Sequence, residues 1–162
     1  MPETATLWIS RELAERIRNH GAKAYPNECC GALFGCDTSA EPGLDPETGA
    51  VVSARRVLGL YPLVNRRDDA PQNRFSVTPL DVREAEKASQ LHGLEVVGWY
   101  HSHPDHPARP SQYDHDHAWP WYSYIILSVQ KGAPEELTSW RLSDDRSEFA
   151  PEPLEICRHA AV

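Results

Sequence analysis

Residues 94–104 read Leu-Glu-Val-Val-Gly-Trp-Tyr-His-Ser-His-Pro, and after six further residues comes Ser111-Gln112-Tyr113-Asp114. A valine- and aromatic-rich apolar run predicts a central strand, and Pro104 closes it, because proline cannot continue the hydrogen-bonded ladder. Side chains alternate faces along a strand, so His101 and His103 point the same way. Ser111-x-x-Asp114 has the hydroxyl-and-acid pattern of a capped helix start. A strand, a turn and a helix start would thus bring two imidazoles and one carboxylate together. Three protein ligands with one position left for water distinguish a catalytic zinc from a closed structural one.

The third ligand is open on spacing alone. Asp114 is equally readable as the acid of a capping box. His106, His115, Asp105, Asp116 and His117 compete for the place, and each also reads as a solvated loop or helix-surface residue. His117 lies three residues beyond Asp114, on a neighbouring part of the same helical face. Five of the eight histidines fall between positions 101 and 117, a density that packing does not explain. A metal-dependent hydrolase also needs a proton acceptor that is not itself a ligand. Glu28 is the candidate, between the Pro26-Asn27 turn and Cys29-Cys30-Gly31 at the mouth of a strand. On residue chemistry alone an ordinary exposed glutamate is the favoured reading. Ser111 can cap the helix, donate to a developing oxyanion, or do both.

Outward from this stretch the chain reads as a sheet flanked by helices, partly antiparallel because some connections are short. Ser10 caps a helix to about His20, with Leu13 and Ile17 on one face and Gly21 as its C-cap. Ala32-Leu33-Phe34-Gly35 is a buried strand. Residues 37–50 form a Pro-, Gly- and Asp-rich loop, and Val51–Leu60 a strand. Residues 61–73 make a long polar connection, and Arg74–Val77 a short strand. Thr78-Pro79-Leu80-Asp81 starts a second helix, with Leu80, Ala85 (or Glu84), Ala88 and Leu91 on its buried face and Gly93 ending it. Tyr122–Val129, Leu137–Leu142 and a segment through Ile156 are further strands.

The chain has 162 residues, 40% of them hydrophobic, enough for one domain with a real core. A formal net charge of -8 opposes binding to a phosphate backbone, so no nucleic-acid partner is expected. Met-Pro-Glu-Thr-Ala-Thr-Leu-Trp lacks a basic region and a long apolar run, so neither a signal peptide nor a membrane span is expected, and the cytoplasm is the expected compartment. Cys29, Cys30, Cys36 and Cys157 show no paired metal spacing and are expected as thiols, Cys30 and Cys36 as small buried hydrophobes. Trp8, Trp119, Trp121 and Trp140 suit a core or an interface, and oligomeric state is open.

Taken together, Glu28, His101-x-His103-Pro104, Ser111 and Asp114 resemble the motif of the JAMM (MPN-plus) zinc metalloprotease family, compact prokaryotic type. Tyr25–Gly31 is similar to that family's segment around its catalytic glutamate. Asn65, Phe75 and Pro79 are similar to its middle region, and Val97–Pro104 to its signature strand. The resemblance spans about residues 7 to 130. It implies a cytidine-deaminase-like α/β fold with a curved mixed, largely antiparallel sheet flanked by helices. It implies Zn2+ on His101, His103 and Asp114, with Glu28 as general base and Ser111 as stabiliser of the tetrahedral intermediate. It implies hydrolysis after the C-terminal Gly-Gly of a ubiquitin-like, sulfur-carrier-type protein, the tail lying along an exposed strand edge and residues 61–73 touching the substrate's body. The alternatives are a non-catalytic MPN scaffold binding ubiquitin-like partners, a base deaminase, whose Pro-Cys-x-x-Cys is absent, and a zinc domain closed by His106, His115 or His117.

Overall fold

A computed structural model describes residues 6–37, 43–44, 51–52, 54–64 and 77–158. In chain order the elements are β1 (Thr6–Ser10), α1 (Arg11–Ala24), β2 (Cys30–Asp37), β3 (Gly43–Leu44), β4 (Val51–Val52), β5 (Ala54–Leu63), α2 (Pro79–Leu91), β6 (Glu95–Pro104), α3 (Gln112–His117), β7 (Ser123–Gln130), β8 (Ala133–Leu142), β9 (Phe149–Glu152) and β10 (Leu154–Cys157). Among the described residues eight strands form one mixed sheet in the order β10-β1-β5-β2-β6-β7-β8-β9, and β3 pairs with β4 apart from it. Within the main sheet β1/β10, β1/β5 and β6/β7 are parallel. The pairs β2/β5, β2/β6, β7/β8 and β8/β9 are antiparallel. The expected α/β class with a mixed, helix-flanked sheet is what the chain adopts.

Local signals explain the helices. Ser10 Oγ accepts from Leu13 N at 3.2 Å and starts α1. The helix does not stop at His20 as expected; it runs to Ala24, and Gly21 is an interior residue. A Cβ at position 21 would lie 2.5 Å from Leu127 Cδ2, so this glycine marks a close approach of α1 to β7, not a turn. Thr78 and Asp81 form a reciprocal capping box at the start of α2. Gly93, at φ 68°, follows its end as the left-handed residue that a helix terminus favours. The buried face of α2 is Asp81, Ala85 and Ser89. Leu80 and Leu91, expected there, are 53% and 86% exposed: 100° per residue carries both onto the solvent side.

Two apolar layers cover the sheet. Ile17 and Ala14 of α1 pack with Leu33, Tyr100, Ile125 and Leu127 on one face. Ala85 of α2 packs with Phe34, Trp99 and Tyr124 on the other. The expected strand Val51–Leu60 is divided between β4 and β5, and Tyr61, Pro62 and Leu63 belong to β5 and not to the polar connection. Val77 is not in a strand, and residues 65–76, with the rest of that connection, Asn65 and Phe75, lie outside the described residues. Cys29 and Cys30 are buried free thiols, whereas Cys36 is only half-buried. No helix among the described residues is long and apolar enough to cross a membrane.

Arg55, which no sequence pattern singled out, is fully buried at the start of β5. Its Nε and Nη2 both lie 2.8 Å from Asp37 Oδ2 at the end of β2. Nη1 donates to Val97 O and Ser123 Oγ, each at 3.0 Å, and to Trp121 O. The guanidinium also stacks 4.2 Å from the Trp121 ring centroid. One cation thus joins β2, β5, β6 and the lead-in to β7. Removing one member of such a buried network is costly. Arg55→Met is expected to lower unfolding stability by about 3–5 kcal/mol in urea denaturation; a loss below about 1 kcal/mol would contradict this role.

Candidate metal centre

The site begins with β6. Alternation along this strand sends Trp99, His101 and His103 to the α2 side and Tyr100 and Ser102 to the α1 side. His101 Nε2 and His103 Nε2 lie 3.1 Å apart. Asp114 arrives from the first turn of α3, with Oδ1 at 3.2 Å from His101 Nε2 and Oδ2 at 3.1 Å from His103 Nε2. Among the described residues these three form a cluster whose ligand atoms all lie within 4.8 Å of one another. Four donors around a zinc at 2.0–2.1 Å would stand about 3.3 Å from each other. The separations of 3.1 to 3.2 Å match a tetrahedral face of that size. Two borderline imidazole donors and one hard carboxylate also suit this dication.

Two of the three residues, His103 and Asp114, are oriented by a neighbour outside the cluster. His103 Nδ1 donates to Pro107 O at 2.9 Å. A carbonyl can only accept, so the proton sits on Nδ1 and Nε2 presents its lone pair to the cluster. Asp114 Oδ2 accepts from Ser111 N at 2.8 Å, while Ser111 Oγ accepts from Asp114 N at 3.1 Å. The capping box and the ligand role, rivals on sequence alone, are therefore compatible in one residue. Burial alone disfavours the His101 imidazolium, but the charge and hydrogen bond of Asp114, with the charge of Glu28, outweigh it and raise the His101 pKa. Burial likewise opposes the Asp114 carboxylate, yet the histidines and the Ser111 amide hold its pKa well below the usual range.

Glu28 is 7% exposed, two residues before the start of β2. It lines a cleft of about 450 Å3 together with His101 and Asp114, under an aromatic wall of Trp99, Trp119 and Tyr124. Glu28, the candidate proton acceptor, is thus a buried acid on the same cleft as His101 and Asp114. Ser111 lines a neighbouring shallow groove with Trp140 and Phe149, and meets the cluster through Asp114. The other candidates lie outside this cluster. Asp105 accepts from Tyr25 Oη and Lys131 N at 2.7 and 2.8 Å. His115 lies edge-on to Phe149, and His106 is exposed, its carbonyl accepting from Ser128 Oγ. Asp116 and His117 reach the cleft rim, but Asp116 accepts from Gln112 Nε2 and His117 Nδ1 donates to Tyr113 O. Sequence reasoning missed Trp119 and Arg146 as cleft residues; neither carries a local pattern that separates it from other loop residues. Among the described residues β6 has neighbours on both sides, and the main sheet presents its edges at β9 and β10.

Residues 10–143 match the family model for prokaryotic homologs of the JAB domain. The chain belongs to that family. This makes it a hydrolase of the JAMM peptidase and isopeptidase class. It is 31% identical over 130 residues to a desampylase from Haloferax volcanii, covering 77% of this chain and 82% of the relative. It is 30% identical to a probable TtuB-protein conjugate cleaving protease from Thermus thermophilus, covering 76% and 70%. A solution structure of a protein from Salinibacter ruber is similar at 42% identity and a TM-score of 0.65, over 95% and 94% of the two chains.

Proton competition tests the cluster as a metal site. A raised His101 pKa means that the imidazole keeps its proton to a higher pH than an ordinary histidine, and a cation must displace it. Zn2+ affinity is expected to fall as pH drops from about 7.5 to 6, with protons released on binding. Calorimetry in buffers of different ionisation enthalpy measures both; affinity that is independent of pH, without proton release, would contradict the site.

Proposed function

We propose that this JAMM-class hydrolase uses Zn2+, held by His101, His103 and Asp114, to cut the bond after the C-terminal Gly-Gly of a ubiquitin-like, sulfur-carrier-type protein. In this reading residues 1–162 act as one catalytic domain in the cytoplasm. The observation that carries it is the convergence of Nε2, Nε2 and a carboxylate within 4.8 Å, with the buried Glu28 on the same cleft. A binding-only MPN scaffold needs none of these residues. The similarity to a desampylase and to a probable TtuB-protein conjugate cleaving protease supports a protein-conjugate substrate.

When bound, the zinc would supply a Lewis acid that polarises the scissile carbonyl and makes water more acidic. Glu28 takes the proton from the attacking water and delivers it to the leaving amine, a task that requires a carboxylate outside the ligand set. Its burial on the same cleft as His101 keeps it out of bulk water and next to the reacting centre. The Ser111 oxygen accepts from Asp114 N; its own proton remains available for the developing oxyanion. Trp99 and Trp119 line the cleft, and a tail of two glycines brings no side chain that has to fit against them.

The test offers the zinc-loaded protein a ubiquitin-like sulfur carrier extended beyond Gly-Gly, once by a peptide and once through a lysine side chain. Intact-mass spectrometry is expected to show a single cut directly after Gly-Gly in at least one of them. Glu28→Gln is expected to slow the cut by about 10²–10⁴-fold with zinc content unchanged. Cleavage elsewhere, or full activity in Glu28→Gln, overturns the reading.

A further inference from the structure

Asp114 rides on α3, a helix of six residues, none of which is fully buried. So short a helix does not support itself in water, and its orientation has to come from its ends. Ser111 holds the N-terminal end through the reciprocal capping box. At the C-terminal end the last carbonyls have no partner within the helix. Arg146 reaches them from the turn between β8 and β9: its Nη1 donates to Ala118 O at 2.6 Å and its Nη2 to His115 O at 3.5 Å.

That turn is built to present the arginine. Asp145 Oδ1 accepts from Ser147 N, Ser147 Oγ and Ser143 Oγ at 2.9, 2.6 and 2.8 Å. These bonds, from the Ser147 side chain and backbone and from Ser143, hold the Asp145 carboxyl down to about 2. Arg146 N donates to Ser143 O at 2.9 Å. Arg146 itself sits at φ 62°, a conformation costly for a residue with a Cβ, which persists where surrounding bonds impose it. The guanidinium, a fork of fixed geometry, lies over the end of α3 and beside the cleft.

We propose that Arg146 is a positioning residue: it closes the C-terminal end of α3 and so holds Asp114 in place opposite His101 and His103. The proposal rests on the zinc reading above. The test compares wild type, Arg146→Ala and Arg146→Lys by Zn2+ titration against a chelator, by the visible spectrum of the Co2+-loaded protein, and by amide exchange without metal. Arg146→Ala is expected to bind Zn2+ about 10–100-fold more weakly, as supporting partners of ligands do when removed. Its Co2+ spectrum is expected to change and its α3 amides to exchange faster, while β6 amides keep their protection. Arg146→Lys is expected to recover part of the affinity, because an ammonium reaches one carbonyl but not two. Wild-type binding with unchanged affinity in Arg146→Ala overturns the proposal alone. Equal acceleration of exchange in α3 and β6 overturns it too, because the effect would then be general destabilisation. A wild-type protein that takes up no metal overturns the zinc reading, and this proposal with it.

Discussion

The register of β6 between β2 and β7 is the constraint on which the site depends. His101 is the ladder partner of Cys30 on one side and of Ile126 on the other, and His103 is the partner of Ser128. A slip of one residue would turn both imidazoles to the α1 face and put Tyr100 and Ser102 in their place. Ser102, between the two histidines, blocks such a slip. Its hydroxyl accepts from Cys29 N at 2.8 Å and its own amide donates to Cys29 O at 3.1 Å. The same two bonds fix the residue next to Glu28. Glu28 and the histidines, more than seventy positions apart in the chain, are therefore set against each other by the β2–β6 pairing, which the Ser102–Cys29 bonds extend by one residue.

Electrostatics then tightens what the ladder brings together. A carboxylate and two imidazoles, all largely buried, are tolerable only if each compensates another's lost hydration. Asp114 is stabilised as an anion by both histidines and the Ser111 amide, and His101 responds with a raised pKa. A dication at their centre would replace the proton on His101 with a stronger partner for Asp114. The folded chain thus holds donors at spacings a cation requires, and much of the cost of gathering them falls on folding.

The readable part of this molecule was its local chemistry. Alternation put His101 and His103 on one face, and the Ser111-x-x-Asp114 pattern placed a helix start where one is found. Ser10 and Thr78 marked their helices for the same reason: a cap is a contact between residues three apart. The misreadings were long-range. Gly21 looked like a helix end because the tight packing that requires it comes from Leu127. Leu80 and Leu91 looked buried because apolar residues were assumed to face inward, while the core side of α2 is taken by Asp81, Ala85 and Ser89. Arg55 and Arg146 were invisible, since an arginine's role depends on which carbonyls the fold brings within its reach. Residue chemistry also left Glu28 and Asp114 open; only the family motif favoured their roles before the structure showed both on one cleft.

The most direct test is anomalous diffraction at the zinc absorption edge from crystals of the metal-loaded protein. A single strong peak should lie about 2.0–2.2 Å from His101 Nε2, His103 Nε2 and an Asp114 oxygen, with a non-protein ligand in the fourth position. A peak elsewhere, or a fourth position filled by a side chain such as His117, would contradict the catalytic centre derived from this fold.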